Sequence, residues 1–164
     1  MDIFTFTKDE ITNWEIENDT VMGGQSTSQI KHIAENNKDA MVFSGEVSLE
    51  NNGGFAQTQY QFKKTLDLSD FSQVIISGNG DGKTYKIRFE TSANNVAYQA
   101  SFVASDNFAK SISFDDLEKV HHGESVPDKP DFDASDIQVI GILIGNNKAE
   151  EFEITLHSII ASSK

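Results

Sequence analysis

The sequence predicts an all-β fold, a sandwich or barrel of antiparallel strands. Three observations lead there. Several stretches alternate apolar and polar residues with period two, the mark of a half-buried strand. Turn-forming clusters separate those stretches. No window of helical length carries a convincing 3.6-residue periodicity.

In chain order, Ile3, Phe4 and Phe6 suggest a short opening strand or an apolar tail laid on the body, and Lys8 to Asn13 suggests one helical turn. Trp14 to Ser26 reads as a shaped loop, too irregular for a helix or a plain strand. It holds the single Trp, a polar turn (Asn18, Asp19), an apolar pair (Val21, Met22) and a glycine pair (Gly23, Gly24). Glycine reaches positive φ and lets another backbone come close, while Asn and Asp bond their own backbone in turns. Thr27 to Ile33 looks extended, and Glu35 to Asp39 is a polar turn. Ala40 to Phe43 is a strand that ends at Gly45, with Val47 and Leu49 resuming it. Asn51, Asn52, Gly53, Gly54 and Phe55 form a second loop of the first one's character.

Tyr85 to Glu90 alternates strictly, and so do Tyr98 to Phe102, Ile112 to Phe114 and Phe152 to Leu156. The denser runs Val74 to Ile76 and Ile137 to Ile144 predict central strands. Ser77 to Thr84, Ala93 to Asn95, Ser105 to Asn107 and Gly145 to Asn147 are the turn clusters between strands. His121 to Asp136, with both prolines, is one long irregular segment, functional or mobile. No repeat or boundary divides the 164 residues, which read as one domain, 1–164, with a real core.

The formal net charge is −13, from 26 acidic and 13 basic residues. Such a surface repels phosphate backbones and anionic lipid, so nucleic acid is an unsuitable partner. There is no cysteine, which excludes disulfides, thiol nucleophiles and Cys metal sites and fits a reducing compartment. No secretory signal and no apolar run long enough for a membrane span is visible. The expected location is the cytoplasm.

Few constellations suggest chemistry. Ser77 to Thr84 has the composition of a phosphate loop, but Ser77 stands where glycine is required and an alternating strand follows instead of a helix. A hairpin turn is the better reading. His121 and His122 lack further metal ligands. The aspartates from Asp128 to Asp136 lack EF-hand spacing, so a solvated acidic loop is favoured over calcium. No nucleophile elbow is present. Asn18 to Thr20 fits the glycosylation pattern by chance. Arg88 either pairs with an acidic neighbour, the favoured reading, or clamps a carboxylate or hydroxyl-rich ligand. Trp14 is a core anchor before it is a stacking platform. Asp19, Asn51 and Asn52 fix turns before they bind ligands.

Trp14 to Ser26, read as Trp14, Asn18, Asp19, Val21, Met22, Gly23, Gly24 and Ser26 at these spacings, resembles the opening motif of the complex I intermediate-associated protein 30 family. Phe43 to Phe55 resembles its second block. Leu66 to Phe71 with Gly80 to Tyr85 resembles its third, and Ile140, Gly141 and Phe152 to Ile160 fit its end. Phe108 departs from the family, which tends to place Trp there. The resemblance implies a jelly-roll β-sandwich similar to galactose-binding domains. It also implies a non-catalytic module with no cofactor, related to assembly factors of respiratory complex I, that recognises a protein partner. A carbohydrate-binding module is the alternative. An enzyme using NADPH ranks below both, because no dinucleotide-binding strand–helix unit exists here. The candidate surface comprises Trp14, Asn18, Asp19, Met22, Gly23, Gly24, Ser26, Asn51, Asn52, Gly53, Gly54, Phe55 and Arg88. The two glycine pairs are expected to let their loops pack closely together.

Overall fold

The computed structural model describes residues 1–163; the side chains of Val21, Met22 and Asn52 lie outside the described part. Two antiparallel sheets face each other. The smaller runs β3 (Thr27–Glu35), β4 (Lys38–Val47), β13 (Glu150–Ser162), β6 (Gln73–Gly80), β9 (Phe108–Ser113), with β1 (Asp2–Phe4) also pairing β13. The larger runs β11 (Glu124–Ser125), β10 (Glu118–His121), β8 (Ala97–Val103), β7 (Thr84–Thr91), β12 (Ile137–Ile144), β5 (Ala56–Leu66), β2 (Trp14–Ile16). One four-residue helix, α1 (Lys8–Ile11), follows β1.

Period-two alternation decides which side chains enter the core. On β7, Tyr85, Ile87 and Phe89 are fully enclosed, whereas Lys86, Arg88 and Glu90 point away. Register carries that choice across the sheet: Phe89 lies opposite Ile140 and Tyr98, and Ile87 opposite Ile142 and Ala100. The dense run Ile137 to Ile144 is the central strand β12, buried almost throughout. The opposing sheet contributes Met41, Phe43, Ile154, Leu156, Val74 and Ile76.

The N-terminal segment closes one end. Phe4 packs on Trp14 with ring centroids 4.8 Å apart and on Tyr60 at 5.1 Å. Phe6 is completely buried and sits at φ 56°, an unusual conformation for a bulky residue. Trp14 is 4% exposed, so it is a core anchor and no surface platform.

Four sequence expectations are corrected. Trp14 to Ser26 is not all loop: Trp14–Ile16 is an edge strand on β5, and Asp19–Met22 is a 3-10 turn. β4 runs through Gly45 without a break. A Cβ at Gly45 would lie 2.1 Å from the Thr27 carbonyl, so glycine there admits β3 and does not end the strand. Leu49 lies beyond the strand, exposed. Ser77 to Thr84 is not a hairpin, because β6 and β7 belong to different sheets and the turn carries the chain between them. The segment His121 to Asp136 includes β11 and is pinned by Phe132, whose ring packs against Phe89, Tyr98 and Phe114.

β5 has no counterpart among the sequence expectations. Its inward face includes fully buried Thr58, and its outward face carries Gln57, Gln59 and Gln61, so its hydrophobic alternation is weak.

Truncating Phe4 to alanine removes the centre of the N-terminal aromatic cluster. It should lower stability by about 3–5 kcal/mol. Urea unfolding followed by the fluorescence of Trp14 measures this directly.

Candidate functional site

The motif around Asp19 is built as a clamp between the sheets. The Asp19 carboxylate is 1% exposed and accepts four hydrogen bonds. Oδ1 receives the Ser26 amide at 3.0 Å. Oδ2 receives the Ser26 hydroxyl at 2.6 Å, the Gly54 amide at 2.7 Å and the Phe55 amide at 3.2 Å. Burial alone would raise its pKa. The bonds from Ser26, Gly54 and Phe55 outweigh burial and hold it below the ordinary carboxylate value. Ser26 extends the clamp by accepting the Ser48 amide at 2.9 Å. Asn18 does the same on the other side, where its Oδ1 accepts from the Ser28 hydroxyl at 2.9 Å and the Gln57 amide at 3.1 Å. Asn18 is 6% exposed and spoken for, so the glycosylation pattern there is chance.

The glycine pairs divide their labour. Gly23 has φ 89° and Gly54 has φ 155°, positions that a side chain resists. Gly24 and Gly53 serve close approach. A Cβ at Gly24 would lie 2.5 Å from Asp19 Cγ, and one at Gly53 would lie 2.6 Å from Asp19 Oδ2. The two glycine loops therefore pack on opposite sides of one carboxylate.

The second part of the site is the outer face of the larger sheet. Register aligns Glu15, Gln59, Gly141, Arg88, Gln99 and Glu118 in one row across six strands. At Gly141 a Cβ would lie 3.2 Å from Gln57 Nε2 and 3.3 Å from Gln59 Cβ, so the glycine admits those two side chains. Over this row lies a groove of about 510 Å³. Gly53, Gly54 and Phe55 form one wall, His122 and Gly123 the other, and Lys86, Arg88, Gln99 and Leu143 line the floor.

Arg88 lies at the centre of that floor. Its Nη1 donates to Gln57 Oε1 at 2.9 Å, and Gln57 Nε2 donates onward to Gln59 Oε1 at 2.9 Å. Its Nε is enclosed without an acceptor. The favoured expectation of an ion pair at Arg88 fails: among the described residues no carboxylate lies within 4.0 Å of its guanidinium. Desolvation by its neighbours lowers its pKa, and the charge of Glu90 opposes that shift.

The candidate residues thus separate into groups. Asp19, Gly53, Gly54, Phe55 and Arg88 line the groove. Trp14, Asn18 and Ser26 are buried behind it. Gly23 and Asn51 are exposed, with Asn51 at φ 55°. The side chains of Met22 and Asn52 lie outside the described residues. Lys86, Gln99, His122 and Leu143 are groove residues absent from the sequence candidates. The polar face of Tyr85 to Glu90 could have supplied Lys86; the remainder depend on long-range register.

No group of three or more His, Asp or Glu among the described residues is placed to hold a metal ion. His121 and His122 stack on each other with centroids 4.0 Å apart. In the acidic loop, Asp131 bonds Lys119, Asp133 bonds Ser135, and Asp136 bonds Ser92. No helix among the described residues is long and apolar enough to cross a membrane.

Asp19→Asn replaces one carboxylate oxygen by an amide donor, which then faces the Ser26 amide if it takes the Oδ1 position or three donors if it takes the Oδ2 position. It should cost about 3 kcal/mol and lower Tm by roughly 6–12 °C, read by calorimetry. The sign of the pH effect follows from the depressed folded pKa. The stabilisation is complete above the ordinary value of 3.8 and is lost as pH falls through the folded value. Below about pH 4 the stability of the native protein should fall more steeply than that of Asp19→Asn.

Comparison with solved structures agrees with this architecture. The family 11 carbohydrate-binding module of cellulase Lic26A-Cel5E from Clostridium thermocellum superposes with TM-score 0.76 at 16% identity, covering 100% of this chain and 94% of that one. The same organism's family 11 module in complex with a β-1,3-1,4-mixed-linked tetrasaccharide gives TM-score 0.70 at 17% identity, over 92% and 89%. An exo-β-agarase gives TM-score 0.65 at 10% identity over 99% of this chain but 25% of that one. These likenesses show the fold, a galactose-binding-like jelly-roll sandwich. No curated protein sequence matches. The family model described as complex I intermediate-associated protein 30 matches residues 4–156, from the end of β1 to the body of β13. The chain belongs to the complex I intermediate-associated protein 30 family.

Proposed function

We propose that the chain is a non-catalytic binding module that recognises a protein partner through the groove on the outer face of the larger sheet. The observation that carries this reading is the position of Arg88. A guanidinium without an ion pair sits in the floor of a groove walled by the Gly53–Phe55 loop. Partly desolvating a cation is costly unless something compensates it. A partner that brings the compensating group supplies that. Family membership supports a role in assembling a larger complex. The lack of cysteine fits a reducing compartment such as the cytoplasm.

A carbohydrate ligand is the second reading, favoured by the ladder of Gln57, Gln59 and Gln61 beside the groove, whose amides can both donate and accept. Against it stands the use of aromatics. Trp14, Tyr85 and Tyr98 are buried, and Tyr60 packs on Phe4 and Trp14, so among the described residues Phe55 and the imidazole of His122 are the aromatic rings lining the groove. Sugar stacking has little to rest on.

The native chain has no cysteine, so Gln99→Cys gives a unique thiol in the groove. Coupling it to a bulky maleimide should abolish capture of protein partners from extract. The same label on Lys31→Cys, on the exposed outer face of the smaller sheet, should leave capture intact. Equal capture by both labelled proteins overturns the groove as the binding surface. Binding of a mixed-linked β-glucan to the native protein, blocked by the Gln99→Cys label, turns the assignment to the second reading.

A further inference from the structure

The groove carries cations on a protein whose net charge is −13. Lys86 and Arg88 lie two residues apart on the outward face of β7, and neither is in an ion pair among the described residues. The acidic groups around them are few and displaced. Asp19 lines the groove, but its carboxylate is saturated by Ser26, Gly54 and Phe55. Glu90 follows Arg88 on the same face, at the end of the strand. Glu118 lies beyond Gln99 in the cross-strand row. The cross-strand neighbours of the two cations carry no charge: Gln99 and Ser101 on β8, Gly141 and Leu143 on β12.

The spacing adds a second constraint. Residues i and i+2 of a strand project from one face roughly 7 Å apart. An extended peptide presents its own i and i+2 side chains with the same repeat. Two carboxylates in an extended acidic segment can therefore meet Lys86 and Arg88 together. On Arg88, Nη1 donates to Gln57, and no hydrogen bond joins Nη2 to a described residue, which leaves it as a donor for a carboxylate oxygen.

We infer that the groove is a carboxylate-binding site, and that the carboxylates belong to an extended acidic segment of the protein partner whose side chains two residues apart engage Lys86 and Arg88. This rests on the groove being the binding surface. The acidic remainder of the protein then serves selectivity. A segment that misses the groove meets like charge, and one that finds it exchanges that repulsion for two ion pairs.

The probes are an acetylated, amidated tetraglutamate peptide, its tetraglutamine counterpart and free glutarate, titrated into the full chain. The readouts are the NMR signals of Arg88 Nε–H and of the Gly54 and Phe55 amides. Tetraglutamate should give saturable shifts that weaken with added salt, and tetraglutamine should give none. Apparent affinity should fall at least tenfold in Arg88→Gln. It should fall comparably in Lys86→Gln, which leaves the Gln57–Arg88 bond in place and guards against a folding artefact. Glutarate binding as tight as the peptide's would uphold the carboxylate chemistry and overturn the protein segment as its source. Equal response to both peptides, no response to any carboxylate, or unchanged affinity in both variants overturns the inference. If those charge variants bind normally while the Gln99→Cys label still blocks partner capture, the groove stands and the carboxylate assignment falls.

Discussion

The structure depends on one buried charge. A carboxylate withdrawn from water costs several kcal/mol unless it is fully bonded. Asp19 is fully bonded, and its donors come from two stretches far apart in sequence: Ser26 on one side, Gly54 and Phe55 on the other. That single requirement explains the composition of both loops. Donors can reach the carboxylate only if the flanking backbone comes within contact distance, so Gly24 and Gly53 have no room for a Cβ. The chain must also turn sharply on each side, and Gly23 and Gly54 take the positive φ values that permit it. Ser26 then passes the constraint to Ser48 at the end of β4. One charge thus ties the edge of the smaller sheet to the start of β5 in the larger.

The same constraint reaches the groove. Asn18, adjacent to Asp19, accepts the Gln57 amide, and the Gln57 side chain holds Arg88. The link from clamp to guanidinium is two residues long. The wall formed by Gly53, Gly54 and Phe55 is itself held by Asp19. The family motif is therefore structural in its own contacts, and the proposed groove function reaches it through what it positions. Asn18 and Ser26 do not line the groove, yet they bond Gln57 and Asp19, which hold or line it.

How far the sequence reveals this follows from the range of each interaction. Alternation is local, so Tyr85 to Glu90 and Phe152 to Leu156 are legible as strands from their residues alone. β5 is not, because polar Gln57 and Thr58 are buried in a cross-strand setting that only the fold creates. The turn at Ser77 to Thr84 has hairpin chemistry, and only sheet membership shows that it spans two layers. For the site, the glycine pairs advertise themselves and their mutual packing is deducible. The partner of Arg88 is not. In a chain with twice as many acids as bases, an ion pair is the natural expectation. Register instead surrounds Arg88 with Gln99, Gly141 and Gln57, from strands separated widely in sequence.

That placement has an energetic meaning. Acidic residues are abundant enough to neutralise Arg88 within the chain, and the fold withholds them. Asp19 is near the groove but saturated, and Glu90 influences Arg88 only through space. A cation left half-solvated is a standing cost, and Arg88 and Lys86 bear it on the same strand face. Structural needs do not explain it, since the core beneath β7 is made by Tyr85, Ile87 and Phe89 whatever lies on the other face. The glutamines beside the cations keep their surroundings polar without neutralising them. Under the proposed carboxylate site the arrangement is preorganisation: the cost of holding the cations in place is met on folding, helped by the clamp at Asp19, so that an incoming anion would meet donors already fixed.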